Sequence, residues 1–217
     1  MTSREDILTR VREKVGRNVD DTALARGDME AWLNTRRQGP RPPAAGDLLA
    51  RFREKSEALS TSIDIVAEWS TVPSAVARYL AERSLAKTAV GWPLLTGHDW
   101  AAAGIAFEGR GARDADRIGI TGAFCAIAET GTLVLLSGHD TPASVSLLPE
   151  THVAVVAASR IVMGMEEAWN LLRAKGGALP RAVNFVSGPS RTGDIEQTIV
   201  LGAHGPYQVH VIVVTGA

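Results

Sequence analysis

The chain has 217 residues, 45% of them hydrophobic, and a formal net charge of −1 at pH 7. That length is enough for one substantial core plus an accessory segment, and the near-neutral charge gives no reason to expect nucleic acid as a partner. No apolar run could span a bilayer and the start MTSREDILTR lacks an export signal, so we expect a cytoplasmic protein with no membrane partner. The one cysteine, Cys125, excludes an internal disulfide and a cysteine-based metal cage within one chain.

Charge is distributed unevenly along the chain. Residues 1–58 carry 22 charged side chains, whereas residues 118–217 carry only 12. Charge-rich sequence predicts solvent-facing helices, and charge-poor sequence rich in Val, Ala and Gly predicts strands buried on both faces of a parallel sheet. We therefore expect an N-terminal helical segment with a Pro-rich linker over residues 1–58 and an α/β domain over residues 59–217.

Three amphipathic helices are predicted in the N-terminal segment. Ser3 and Asp6 form a capping-box-like start to the first. The second is expected over residues 28–35, and Asp47 is expected to cap the third. Between them, the Gly/Pro-rich residues 39–43 are typical of a linker. These helices could pack on the main domain or on a partner.

From Ser60 onward the pattern alternates between strands and helices. A strand is expected near residues 63–66, a helix capped by Ser70 or Thr71 follows, and another strand covers residues 88–91. Further strands are predicted over residues 132–136, 152–157, 183–186 and 209–214, with helices over residues 123–128 and 164–175 and after Asp194. This alternation predicts a three-layer α/β sandwich with a mainly parallel sheet.

The loop after the strand at 183–186 is the main candidate for a binding site. It should lie at the carboxyl end of a strand, where open α/β sheets bind ligands. A helix start beside hydroxyls and a guanidinium suits a small carboxylate or phosphate. The candidate ligand-binding residues of this loop and of the later Gly/Pro turn are Gly188, Ser190, Arg191, Thr192, Asp194, Glu196, His204 and Gly205. The alternative is a capping loop in which Arg191 pairs with Asp194 or Glu196.

Glu129 is the candidate catalytic residue. It stands at a tight turn before an apolar strand, where a carboxylate can act as a general base or a nucleophile, or accept backbone hydrogen bonds. No histidine has the spacing to a carboxylate that a helical metal site shows, so no metal site is expected. His210 interrupts an apolar strand and is interpreted as a hydrogen-bonded core residue.

Three stretches, AIAETGTLVL, SLLPETHVAVV and SGPSRTGDIEQTIVLGAHGP, carry a family resemblance. They resemble the LUD-domain proteins of the lactate-utilisation protein C family, over roughly residues 60–217. The resemblance implies a fold similar to the ribose-phosphate isomerase and CoA-transferase-like superfamily. It also implies a role in growth on lactate beside partners that carry iron–sulfur clusters. Gly193 stands where the family pattern often has Ala, a difference that removes no functional group.

Two functions compete at this point. The first is a non-redox component of a system that oxidises L-lactate to pyruvate, binding a small anion or partner subunits through its C-terminal loops and holding no cofactor of its own. The second is a free-standing CoA-transferase-like or formyltetrahydrofolate cyclo-ligase-like enzyme acting on an acyl or phosphorylated substrate. In that enzyme Glu129 would be the nucleophile, by analogy of fold alone. A lysine- and glycine-rich nucleotide loop would favour the second, and the sequence has none, so we prefer the first.

Overall fold

A computed structural model describes residues 3–16, 21–41, 46–193 and 200–216 of the chain. By its internal contacts the chain divides into two compact units, Met1–Pro43 and Ala44–Ala217. Each unit is described separately below.

Six α-helices occur in the described residues. In chain order they are α1 (Arg4–Val15), α2 (Asp21–Asn34), α3 (Leu48–Ala58), α4 (Val72–Glu82), α5 (Ser144–Leu147) and α6 (Met165–Lys175). The predicted capping box of α1 is confirmed, since Ser3 Oγ accepts from Asp6 N and Ser3 N donates to the Asp6 carboxylate. Asp47 caps α3 as predicted, accepting from Leu49 N at 2.9 Å. Helix α2 starts earlier than the sequence predicted.

Twelve strands occur in the same residues. They are β1 (Thr61–Val66), β2 (Thr88–Gly91), β3 (Ala106–Gly109), β4 (Ile118–Gly122), β5 (Cys125–Ile127), β6 (Thr132–Leu136), β7 (Thr151–Ala157), β8 (Ile161–Val162), β9 (Val183–Val186), β10 (Arg191–Thr192), β11 (Val200–Leu201) and β12 (Gln208–Val214).

The main sheet has six strands in the order β1-β12-β7-β4-β2-β3, and every neighbouring pair is parallel. Residues 209–214 in β12 are buried, as predicted. Helix α4 covers one face, where Tyr79 stacks on His210. Helix α5 covers the other face, where a Cβ atom at Gly119 would lie only 2.0 Å from Val145 O. The α/β fold with a mainly parallel sheet is confirmed.

A second sheet of four strands, in the order β8-β5-β6-β9, lies beside the main one. Alternate residues point to opposite sides of a strand, and here both sides are buried. One side of β5 and β6 joins the main core through Ala126, Ala128, Leu133 and Leu135. The other packs with α6 through Cys125, Ile127, Val134 and Leu136. Burial on both sides explains why this part of the sequence carries so little charge.

The predicted helix over residues 123–128 is wrong. Residues 125–127 form β5, which pairs antiparallel with β6 and parallel with β8. A short run of small apolar residues fits a buried strand or a buried helix equally well, and the strand partners that decide between them are distant in sequence.

The division of the chain also differs from the expected boundary at residue 58. The second unit starts at Ala44 and includes α3, whose Phe52 is fully buried in the core of that unit. Arg53, Glu54 and Glu57 of α3 are exposed, whereas the Nε atom of Arg51 is buried. The high charge density of the helix alone placed it with the N-terminal segment.

Candidate functional site

The candidate loops lie at the end of the main sheet where its parallel strands begin, which we call the amino edge. The end where the strands finish is the carboxyl edge. Strand β9 belongs to the second sheet and runs antiparallel to β6, so the loop after it does not follow a strand of the main sheet. The loop contacts Leu59 and Ser60, immediately before β1, and the later turn leads into β12. The expectation that this loop lies at the carboxyl edge of a parallel sheet is therefore wrong.

Arg191 ties this loop to the turn between α3 and β1. Its Nη2 atom donates to Leu59 O at 3.1 Å and to Ser60 Oγ at 2.8 Å. Gly188 approaches the same turn closely, because a Cβ atom there would lie 2.5 Å from Leu59 O, and its φ of +78° favours glycine. These two hydrogen bonds fix the guanidinium in place, although Arg191 as a whole is exposed to solvent.

Ser190 joins the first loop to the second Gly/Pro turn. Ser190 N donates to Pro206 O at 2.8 Å, and Gly202 N donates to Ser190 O at 2.9 Å. A Cβ atom at Gly205 would lie 3.4 Å from Ser190 Cβ. The two loops thus form one surface, on which His204 is exposed.

Three hydroxyls link this surface to the turn that contains Glu129. Thr130 Oγ1 lies 2.7 Å from Thr132 Oγ1, which lies 2.7 Å from Ser187 Oγ. No local pattern in the sequence indicates this chain of hydroxyls, because Thr132 and Ser187 are brought together only by the pairing of β6 with β9.

The Glu129 carboxylate itself is directed toward the start of α6. A Cβ atom at Gly164 would lie 3.1 Å from Glu129 Oε2, 3.2 Å from Glu167 Oε2 and 3.4 Å from Glu166 Oε2. Glu167 accepts from Gly164 N at 3.0 Å. Glu129 is thus close in the chain to the hydroxyl link, but its charge is grouped with two other acidic residues.

The remaining candidate residues are placed as follows. Thr192 lies in β10 and pairs with Val200 of β11. Asp194 and Glu196, together with the helix predicted after Asp194, lie outside the described residues.

The carboxyl edge of the main sheet is filled by an aromatic side chain. Between β2 and β4 the strand order changes direction, because β2 is followed by β3 on one side and β4 by β7 on the other. Open α/β sheets commonly form a ligand crevice at such a point. Here Trp92, which follows β2 and is 5% exposed, occupies that position. Its Nε1 donates to Pro142 O at 3.2 Å, and a Cβ atom at Gly122 would lie 3.5 Å from its ring.

A buried polar cluster lies between β1, β12 and α4. His210 Nδ1 is 2.9 Å from Ser62 Oγ, its register partner, and Nε2 is 3.7 Å from Asp64 Oδ2. Asp64 also accepts from Arg78 at 2.6 Å. Burial lowers the pKa of His210 to about 4, although the Asp64 charge acts in the opposite direction. These contacts agree with the interpretation of His210 as a hydrogen-bonded core residue.

A shallow cleft of about 130 Å³ lies along β2, β3 and β4. Arg110 in its lining donates to both carboxylate oxygens of Asp116, at 2.7 and 2.9 Å, and to Glu108 at 2.6 Å. The Arg110 guanidinium lowers the pKa of Asp116. Because these charges already satisfy one another, the cleft offers an anion little attraction.

Three further observations concern the cysteine, metal binding and the membrane. Cys125 is fully buried, and burial raises its pKa to about 11, so the sulfur is neither accessible nor ionised near neutral pH. In the part of the chain that the structure describes, no three His, Cys, Asp or Glu side chains are grouped to hold a metal ion. No helix there combines the length and apolar composition needed to cross a bilayer.

Comparison with known proteins places these elements in a family. The family model of the LUD domain matches residues 49–214, from the first turn of α3 to the end of β12. This chain belongs to the LUD-domain family. The match includes α3 and both candidate loops.

Curated relatives of this LUD-domain chain carry the name lactate utilization protein C. The chain is 43% identical over 101 residues to the proteins of that name from Geobacillus sp. strain WCH70 and Bacillus subtilis. Each match covers 45% of this chain and 42% of the relative. The chain therefore matches less than half the length of these relatives.

A solved structure extends the likeness beyond that segment. The crystal structure of a DUF162 family protein from Deinococcus radiodurans resembles the chain with a TM-score of 0.58 and 26% identity. The likeness covers 80% of this chain and 99% of that one. The fold described above is therefore shared with that crystal structure.

Proposed function

We propose that this LUD-domain protein is a non-redox component of a lactate-utilisation system that oxidises L-lactate to pyruvate. In this proposal the joined C-terminal loops bind a small carboxylate or phosphate, or partner subunits. The names of the curated relatives support the lactate part of the proposal. The surface around the loops supports the binding part.

The observation that carries the binding role is a group of exposed apolar side chains beside the joined loops. We call it the loop surface, and it consists of Leu147, Leu148, Val200, Leu201 and Tyr207, which are 45, 58, 40, 51 and 39% exposed.

Leu147 and Tyr207 lie close to the glycines of the second Gly/Pro turn. A Cβ atom at Gly205 would lie 3.7 Å from Leu147 O, and one at Gly202 would lie 2.7 Å from Tyr207 Cβ. Grouped exposed apolar side chains with a polar rim are typical of protein-binding surfaces.

The need for an electron acceptor supports iron–sulfur proteins as the partners. Oxidising lactate to pyruvate removes two electrons, which need a redox acceptor. An iron–sulfur cluster usually needs four thiolates, and this sequence supplies one buried thiol. We therefore propose that iron–sulfur proteins of the lactate-oxidation system are the partners that accept the electrons.

The environment of Glu129 favours this function over a CoA-transferase-like enzyme. A nucleophilic or basic role for Glu129 stays part of the proposal, since its turn is linked to Ser187 of the first loop through Thr130 and Thr132. However, its carboxylate is directed toward Glu166 and Glu167 at the start of α6, whereas the Arg191 guanidinium lies at the joined loops. Arg191 is the better candidate to attract an anion.

The proposal is tested by reconstitution with candidate iron–sulfur partners. The isolated chain should not reduce a dye with lactate, and activity should appear only with the partners present. Leu201→Glu should weaken co-purification with the partners roughly tenfold, because it places a charge in an apolar contact. Leu179→Glu, at a residue 74% exposed elsewhere on the domain, is the matched control and should bind normally. Lactate-dependent dye reduction by the isolated chain would contradict the proposal.

A second pair of variants tests the anion role. Arg191→Ala should weaken binding of lactate or phosphate, measured by titration calorimetry, while the exposed Arg181→Ala should not. Because Arg191 also holds the α3–β1 turn, melting temperatures are measured for both variants. A large loss of melting temperature with unchanged anion binding would show that Arg191 is purely structural.

A further inference from the structure

The N-terminal helices present apolar side chains that are exposed among the described residues of their unit. No residue of the 12-residue helix α1 is buried. Its large apolar side chains recur at helical spacing on one side, where Ile7, Leu8, Val11 and Val15 are 51, 37, 52 and 58% exposed. We call this row the α1 stripe.

Helix α2 has the same property. Every side chain described in it, from Leu24 onward, is exposed. Met29, Trp32 and Leu33 again recur at helical spacing, with exposures of 55, 61 and 56%. Helices of 12 and 14 residues are marginal alone in water, so packing of such faces normally stabilises them.

The charges of α1 indicate what packs there. Its first turn contains the acidic residues Glu5 and Asp6 after Arg4, and its last turn contains the basic residues Arg12 and Lys14. Glu5 and Arg12 are one heptad apart and therefore flank the same side of the α1 stripe. In an antiparallel pair of α1 helices, Glu5 of each copy comes beside Arg12 of the other. The surface is thus complementary to itself, which is the property of a two-fold symmetric interface.

We propose that the chain dimerises through its N-terminal helices, with α1 packed antiparallel against α1 of a second copy. The α1 stripe forms the centre of the contact, and Glu5 and Arg12 pair across it in both directions. The apolar face of α2 from each copy packs at the sides of the α1 pair, giving four helices around one apolar centre.

The test is sedimentation equilibrium of the full chain over a micromolar concentration series. The wild-type chain should be dimeric. Val11→Glu should weaken dimerisation roughly tenfold or more, because it buries a charge in the contact. Glu13→Arg, on the opposite side of the same helix, is the matched control and should leave the dimer unchanged. Far-UV circular dichroism checks that the helices persist.

Charge reversal separates the interface from effects within one helix. Glu5→Arg and Arg12→Glu should each weaken the dimer, and the two changes combined should restore it. If these charges acted only on the helix macrodipole, the double variant would be the worst of the three, because it places a cation at the first turn and an anion at the last. A double variant weaker than either single one would overturn the proposal. So would a monomeric wild-type chain, including one whose helices bind a different protein, or a Val11→Glu variant that dimerises normally.

Discussion

The carboxyl and amino edges of the main sheet, where its strands end and begin, are occupied by different kinds of side chain. At the carboxyl edge, Trp92 fills the position where the chain order reverses, and its indole N–H is bonded to Pro142 O. At the amino edge, Ser190 and Arg191 join the two Gly/Pro loops and the α3–β1 turn into one exposed surface. The position that holds ligands in many open α/β sheets is thus occupied here by a buried tryptophan, whereas the candidate binding residues lie at the opposite edge.

This difference shows when a rule about ligand position can be transferred. The rule depends on a crevice between diverging loops, and here a buried tryptophan occupies the position after β2. The two buried histidines also lie near the amino ends of their strands, His152 in β7 and His210 in β12. Two buried titratable side chains therefore lie near the amino edge of this sheet.

The largest expected effect follows from removing the ring that fills the carboxyl edge. Trp92→Ala should lower the free energy of unfolding by about 3–5 kcal/mol, because it deletes a buried aromatic side chain and one hydrogen bond. Chemical denaturation measures the loss. Leu94→Ala, two residues away and 65% exposed, is the control and should change little. A Trp92→Ala protein as stable as the wild type would show that this edge is not part of the core.

A smaller loss is expected at the amino edge. Gly188→Ala places a methyl group 2.5 Å from Leu59 O at a φ of +78°, so strain and a backbone shift should cost about 2–4 kcal/mol. Gly193→Ala has open space around the new methyl group and is the matched control. If the two variants melt at the same temperature, Gly188 does not fix the loop against the α3–β1 turn.

The smallest effect is a dependence of stability on pH. Burial lowers the pKa of His152 and of His210 to about 4, below the ordinary value of 6.5. The unfolded chain therefore takes up protons first as the pH falls. The contribution of the two histidines to the free energy of unfolding should be fully present above pH 6.5 and be lost progressively toward pH 4.

For each histidine, the free energy of unfolding should fall by on the order of 1.4 kcal/mol between about pH 7.5 and pH 5.5. Denaturation at both pH values measures the loss, and His210→Gln should show about half of it. Equal stability of the wild-type chain at the two values would contradict the burial of two neutral imidazoles.

Local signals in the sequence were sufficient for several elements. The Ser3–Asp6 capping box of α1 and the Asp47 cap of α3 depend on residues within one helical turn. Strands β6 and β9 have the predicted bounds, because each is an apolar run ended by glycine and turn residues. The three stretches that resemble the LUD-domain family were also recognised from the sequence alone, and the family match confirms this resemblance.

The placement of the candidate site was decided only by the tertiary structure. Whether residues 125–127 form a helix or a strand depends on pairing with β6 and β8. Thr132 meets Ser187, and Ser62 meets His210, only because distant strands pair in a particular register. The loops lie at the amino edge because β9 joins the second sheet and β12 the first. Strand order and register depend on contacts between residues far apart in the chain, and no local pattern of residues encodes them.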